Sequence, residues 1–183
     1  MRRSSSIAAI PNPTDVVKEA SMFERELRLN GLMHGYLSRL LQDLDDAQLD
    51  VPVASAGDPP AWILAHLVVA NDYALRLLGA PRIASAEWHK RFGRGVSPKD
   101  DQSPLPSKTE LVQKLEEGRQ LLVATAVKAE PARMEEPNKV DFFKDTPVTT
   151  VGDVVGHLLT THLAVHIGQL SAWRRMLGRP HLF

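Results

Sequence analysis

At 183 residues the chain has the length of one domain able to bury a core without covalent staples. Lys plus Arg and Asp plus Glu both number 22, so no net field draws the protein towards nucleic acid or an anionic membrane. The absence of cysteine excludes disulfides and thiolate metal sites, so any bound metal must be held by nitrogen or oxygen.

The opening, MRRSSSIAAIPNP, has only the short apolar run Ile7 to Ile10, too little for a signal-peptide core. Residues 1–13 read as a disordered tail ahead of a single domain, 14–183. A first helix is expected from Thr14 or Asp15, either of which can cap it, to about Leu44. Its inward stripe is Val16, Ala20, Phe23, Leu27, Asn30, His34, Leu37, Leu41 and Leu44, stepping by four and three. Asn30 and His34 then point inwards; a slightly rotated seam through Leu32, Met33 and Tyr36 is the alternative.

Pro59 and Pro60 suit the first turn of a second helix, Ala61 to Leu78, ended by Gly79, with the stripe Trp62, His66, Ala70, Tyr73 and Leu77. Its apolar run, Ala61 to Ala70, is broken by His66 and followed by Asn71 and Asp72, so it spans no membrane. A soluble, cytoplasmic protein is expected. Ala80 to Pro106 reads as a long loop with a short turn near Ala84 to Lys90; its Trp88, His89 and Phe92 would cover one end of the domain or meet a second subunit. A capping box, Ser107 to Glu110, opens a third helix with Leu111, Leu115, Leu122 and Ala126 along one side, ending near Pro131. After another long connection, Thr150 and Asp153 open a final helix running to Gly178. Four amphipathic helices without strand-type alternation give an all-α four-helix bundle, and the long connections permit crossovers.

The final helix carries the chemistry. His162 and His166 lie one turn apart and roughly 40° apart around the axis, so both can ligate one ion, whereas His157, rotated by roughly 140°, reads as a surface residue. Val155, Leu158, Gln169, Trp173 and Met176 share the pair's side, which places it towards the core. A lone i, i+4 pair is equally a hydrogen-bonded core feature or a subunit contact. His66, on an otherwise apolar stripe, supplies a third inward ring. Three buried imidazoles need partners, and a shared divalent cation satisfies all of them. Three nitrogen ligands leave a coordination position open, as catalytic sites do. Gln169, His34 and Asn30 are candidates to support the ligand rings. No general base is assigned: Asp153 reads as a cap and Asp72 lies off the His66 stripe. His89 and His181 read as solvated, as does the basic cluster Lys90, Arg91 and Arg94.

Trp62-Ile-Leu-Ala-His66-Leu, followed much later by His162-Leu-Ala-Val-His166-Ile-Gly-Gln169-Leu and Arg174-Arg-Met-Leu-Gly178, resembles the DinB-like superfamily of bacterial proteins. The resemblance extends over nearly the whole chain after the tail. It implies a crossover four-helix bundle, commonly a homodimer, in which His66, His162 and His166 match a histidine triad for one divalent ion, with zinc, nickel and ferrous iron all compatible with three imidazoles. It also implies thiol chemistry, since the superfamily includes transferases and isomerases that use a low-molecular-weight thiol as cosubstrate. The expected function is a metal-dependent thiol S-transferase acting on a small molecule, with no nucleic acid or membrane partner. Three alternatives stay open: a metal-dependent hydrolase, a stress-related metal-binding or interaction bundle without turnover, and a purely structural dimer.

Overall fold

The computed structural model describes residues 21–52, 57–100 and 103–182. Its helices are α1 (Glu24–Leu41), α2 (Asp46–Leu49), α3 (Pro60–Leu77), α4 (Ala86–Phe92), α5 (Lys108–Ala126), α6 (Pro131–Met134), α7 (Val151–Leu159) and α8 (Thr161–Met176). Among the described residues the only extended pairing is an isolated bridge between Pro137 and Thr150. The expected start of the first helix, with Val16 and Ala20, and the tail 1–13 lie outside the described residues.

Two hydrophobic clusters fix the direction of each long helix. One joins Leu37, Leu40 and Leu41 of α1, the first half of α3, Leu111 and Leu115 of α5, and Leu163 to Trp173 of α8. The other joins Phe23 at the start of α1, Ala74 and Leu75 of α3, Leu122 and Ala126 of α5, and Val155 and Leu159 of α7. Thus α1 runs parallel to the α7–α8 arm, α3 runs parallel to α5, and the two pairs oppose each other. These parallel neighbours are also principal packing partners. The segment between α3 and α5 must therefore travel back along the bundle, which makes it the crossover.

Each helix carries its own reasons. Ser107 accepts from the Glu110 amide at the start of α5, and Thr150 with Asp153 forms a reciprocal capping box at α7. Gly79 sits at φ 84°, the left-handed conformation that ends α3 after its C-cap Leu78. The far ends of α1 and α8 are fastened by Arg174, buried at 2 % exposure, which donates to the Leu40 carbonyl at 2.8 Å and pairs with Asp43. The Arg174 hydrogen bond holds the Asp43 carboxyl down at about 2.

Three expectations are revised. First, α3 is buried almost all round, and its least buried side is the stripe His66, Ala70, Tyr73 and Leu77. It is a central helix, and His66 lies on its partly exposed side instead of in the middle of the core. Second, the segment expected as a loop with a short turn holds a true helix, α4, whose Phe92 is 1 % exposed and packs with Trp88 against the first cluster. Third, the expected single final helix is two. Thr160 leaves helical geometry at φ −127°, ψ −81°. Its hydroxyl donates to the Gly156 carbonyl at 2.7 Å and that of Thr161 donates to the His157 carbonyl at 3.3 Å, so adjacent threonines compete with the backbone ladder. The Leu159 carbonyl beside the break accepts from Asn30 Nδ2 at 2.9 Å.

Candidate metal centre

The sequence places His66 in the middle of α3 and His162 and His166 on the first two turns of α8, and the antiparallel packing of α3 against α8 brings them together. One ligand atom from each lies within 4.8 Å of the others, all three rings being half-buried. Ring centroids are 5.3 Å apart for His66 and His162, 5.1 Å for His66 and His166, and 4.6 Å for His162 and His166.

Hydrogen bonds orient two of these rings. The Phe92 carbonyl can only accept, so His66 donates to it from Nδ1, at 2.7 Å, and turns Nε2 inwards as a lone pair. Trp62 stacks on the other face of His66, 5.4 Å away and within 5° of parallel. His166 likewise engages Gln169 Oε1 through Nδ1 at 2.7 Å, which frees its Nε2. His162 Nε2 lies 3.3 Å from His66 Nε2, while its buried Nδ1 has no hydrogen-bond partner. Two nitrogens bound tetrahedrally at about 2.0–2.1 Å sit about 3.3–3.4 Å apart, so this spacing suits ligands of one small ion. A proton on His162 Nε2 could serve only one of the two facing lone pairs, whereas a cation serves all three nitrogens.

Burial holds the rings neutral, the form that ligates. His162 is pushed down to about 3 by burial first and then by the nearby His166, His66 and His157; His166 is pushed down to about 4 by burial and then by His66. His66 is lowered by burial too, against the opposing effects of its Phe92 bond and of Asp58.

The other sequence candidates are distributed around the site. Gln169 supports His166. Asn30 points inwards, 2 % exposed, and satisfies the helix break at Leu159. His34 lies in a cleft of about 220 Å³ between α1 and α5, lined also by Ser38, Lys108 and Glu116. No hydrogen bond joins either residue to a triad ring among the described residues.

His157 is not the surface residue that an unbroken helix implies. The break at Thr160 swings it beside His162, with ring centroids 5.7 Å apart, and its Nδ1 meets Thr161 Oγ1 at 2.7 Å. His89 is not free in solvent either. It pairs at 2.9 Å with Asp72, whose carboxylate is wholly buried and also accepts from the amides of Ile83 at 2.8 Å and Ala84 at 2.9 Å. Asp72 thereby seats α4, and α4 ends at the Phe92 carbonyl that aims His66. A carboxylate just after the apolar run Ala61 to Ala70 was the sequence signal for this support. Nothing in the sequence marked the carbonyl, nor Asp58, whose carboxyl is raised by burial and whose charge is felt by His66. Among the described residues no helix is long and apolar enough to cross a membrane.

A sequence model described as the DinB superfamily matches residues 32–170. In fold the chain is similar to YfiT from Bacillus subtilis, described as a probable metal-dependent hydrolase with an unusual four-helix bundle topology. The two share 16% identity at a TM-score of 0.60, over 97% of this chain and 95% of that one. No curated protein sequence matches.

Proposed function

The chain belongs to the DinB superfamily, and from that premise and the geometry of the triad we propose that it is a metal-dependent enzyme in which His66, His162 and His166 hold one divalent ion, zinc, nickel or ferrous iron. The observation that carries this reading is the convergence of three neutral imidazoles with no carboxylate among them. Such a set leaves a coordination position for substrate and keeps the full positive charge of the ion. When bound, the ion supplies Lewis acidity and lowers the pKa of a coordinated thiol or water.

The chain's own residues do the positioning. Phe92 and Trp62 fix the His66 ring, Gln169 fixes His166, and burial keeps all three rings unprotonated. The leading reaction is transfer of a low-molecular-weight thiol to a small electrophile, supported by the family. Hydrolysis is the second reading, supported by the likeness in fold to YfiT. We also propose a homodimer; Leu29 and Leu32 on α1 and Val165 on the adjacent α8, respectively 47%, 49% and 60% exposed, are apolar surface that a second copy would cover.

Elemental mass spectrometry of the wild type and of His66→Ala, His162→Ala and His166→Ala, each checked for intact helicity, tests the site. About one ion per chain, lost in every variant, is expected. Absence of metal after reconstitution with zinc, nickel and ferrous iron would refute it. Turnover of an electrophile panel only with added thiol supports transfer, and ester or amide cleavage without thiol supports hydrolysis.

A further inference from the structure

The triad belongs to a closed circuit of contacts. His66 donates to the Phe92 carbonyl, and two residues on, after Gly93, the Arg94 guanidinium lies over the Phe142 ring, 4.8 Å from its centroid. Phe142 meets Phe143 at 5.1 Å, Phe143 meets His157 at 5.2 Å, and His157 meets His162, which returns to His66. The circuit joins three chain segments far apart in sequence: the end of α4, the 3₁₀ turn Asp141–Phe143, and the α7–α8 break.

Two groups on this circuit are open to solvent. Phe142 is 62 % exposed, the largest value among the exposed large hydrophobic residues, although it stands beside the better covered Phe143. Arg94 makes no hydrogen bond or ion pair among the described residues. Its neighbour Arg91, by contrast, is committed to the carbonyls of Ser103 and Pro104. A guanidinium with its planar fork free, held against an aromatic face, is suited to bind a carboxylate while the ring carries the apolar body of the same ligand.

We propose that Arg94 and Phe142 form an anchoring subsite for the carboxylate and apolar body of a small organic acid, placing its reacting end at the histidine triad. The proposal rests on the reading of the triad as a metal centre that acts on a small molecule. It gives that substrate a chemical class: a monoanionic acid with a flat or apolar portion. Neutral molecules of the same shape lose the guanidinium contact and keep only the ring. Arg94 is exposed, so its pair with a carboxylate corresponds to a preference of up to about fivefold for the acid.

The probes are 4-fluorophenylacetate and its neutral amide, followed by fluorine NMR titration of the zinc-reconstituted full chain, with zinc content measured on every sample. The acid should bind severalfold, up to about fivefold, tighter than the amide. Arg94→Gln should bring the acid down to the level of the amide while leaving zinc content and amide binding unchanged. Phe142→Ala should weaken both probes. Equal binding of acid and amide, or acid binding indifferent to Arg94→Gln, overturns the proposal even if zinc is held. Arg94-dependent acid binding in a protein that holds no zinc keeps the subsite and sinks the metal reading instead. A dimer that Phe142→Ala converts to monomer, without any Arg94-dependent acid binding, assigns the patch to a second copy of the chain and also overturns the proposal.

Discussion

Replacing Asp72 by alanine would test the physical link between the core and the triad. The carboxylate is wholly buried and receives three hydrogen bonds, from the amides of Ile83 and Ala84 and from His89. Truncation strands the two amides and the imidazole away from water, and each stranded donor costs about 1–3 kcal/mol. His89 can turn partly to solvent and the Ile83 amide is only partly buried, so the expected loss is about 4 kcal/mol. For a domain of this size that lowers the melting temperature by about 8–16 °C. Asp72→Asn keeps one accepting oxygen and should lose about half as much. Because the same carboxylate seats α4, loosening it should also release the Phe92 carbonyl from His66 and weaken zinc binding by about tenfold or more, the usual cost of removing a support from a ligand ring. Thermal and urea unfolding measure the first effect, and competition with a zinc indicator measures the second. A stability loss under about 1 kcal/mol for Asp72→Ala, or zinc affinity equal to wild type in Asp72→Asn, would refute the chain of support from Asp72 to His66.

Four further outcomes are expected. Asn30→Ala removes the donor at the α7–α8 break and should cost about 1–3 kcal/mol in urea unfolding; a neutral result would mean that water satisfies Leu159 equally well. His34, held down to about 4 mainly by burial and then by Arg119, makes the metal-free protein acid-sensitive. The unfolded chain takes up this proton near 6.5, before the folded one does, so stability present above pH 6.5 is lost as pH falls towards 4, at up to about 1.4 kcal/mol per pH unit. His162 and His166, also held down, add slope of the same sign, so His34→Gln should reduce it by up to about 1.4 kcal/mol per pH unit, and an unchanged pH profile would contradict the burial of the ring. Zinc at about 100 times its dissociation constant should add about 2.7 kcal/mol of stability, removed by chelator and absent in His166→Ala. Light scattering should show a dimer for the wild type and a monomer for Leu32→Glu; a wild-type monomer at every concentration would sink the dimer.

The long helices and the three histidines that converge were legible because each left a residue-type signature: period and caps for the helices, an i, i+4 spacing for His162 and His166, and a lone polar ring in an apolar run for His66. The direction of helices was not legible, since nothing in α3 or α5 alone says that they run parallel; only the long return segment hinted at it. The α7–α8 break was hidden because apolar periodicity continues through Thr160, and reading one helix across it turned His157 the wrong way. Burial of the His66 stripe was overestimated for a related reason. Periodicity identifies an amphipathic face, but α3 is apolar nearly all round, so its stripe with the histidine is the less covered side. Phe92 supports the site through its carbonyl, which every residue possesses and no sequence pattern singles out.

His66 and His162 are 96 positions apart along the chain. A segment ending before Thr161 would own one ligand and neither member of the pair on α8, so during synthesis no triad exists until the last helix has left the ribosome. On the proposed reading, metal capture is a late event that reports completion of the bundle. An ion held between α3 and α8 also clips a loop of nearly a hundred residues, the kind of closure whose entropic cost has already been met by folding when the ion arrives. The nascent protein is therefore expected to compete poorly for metal, and the finished one to compete well.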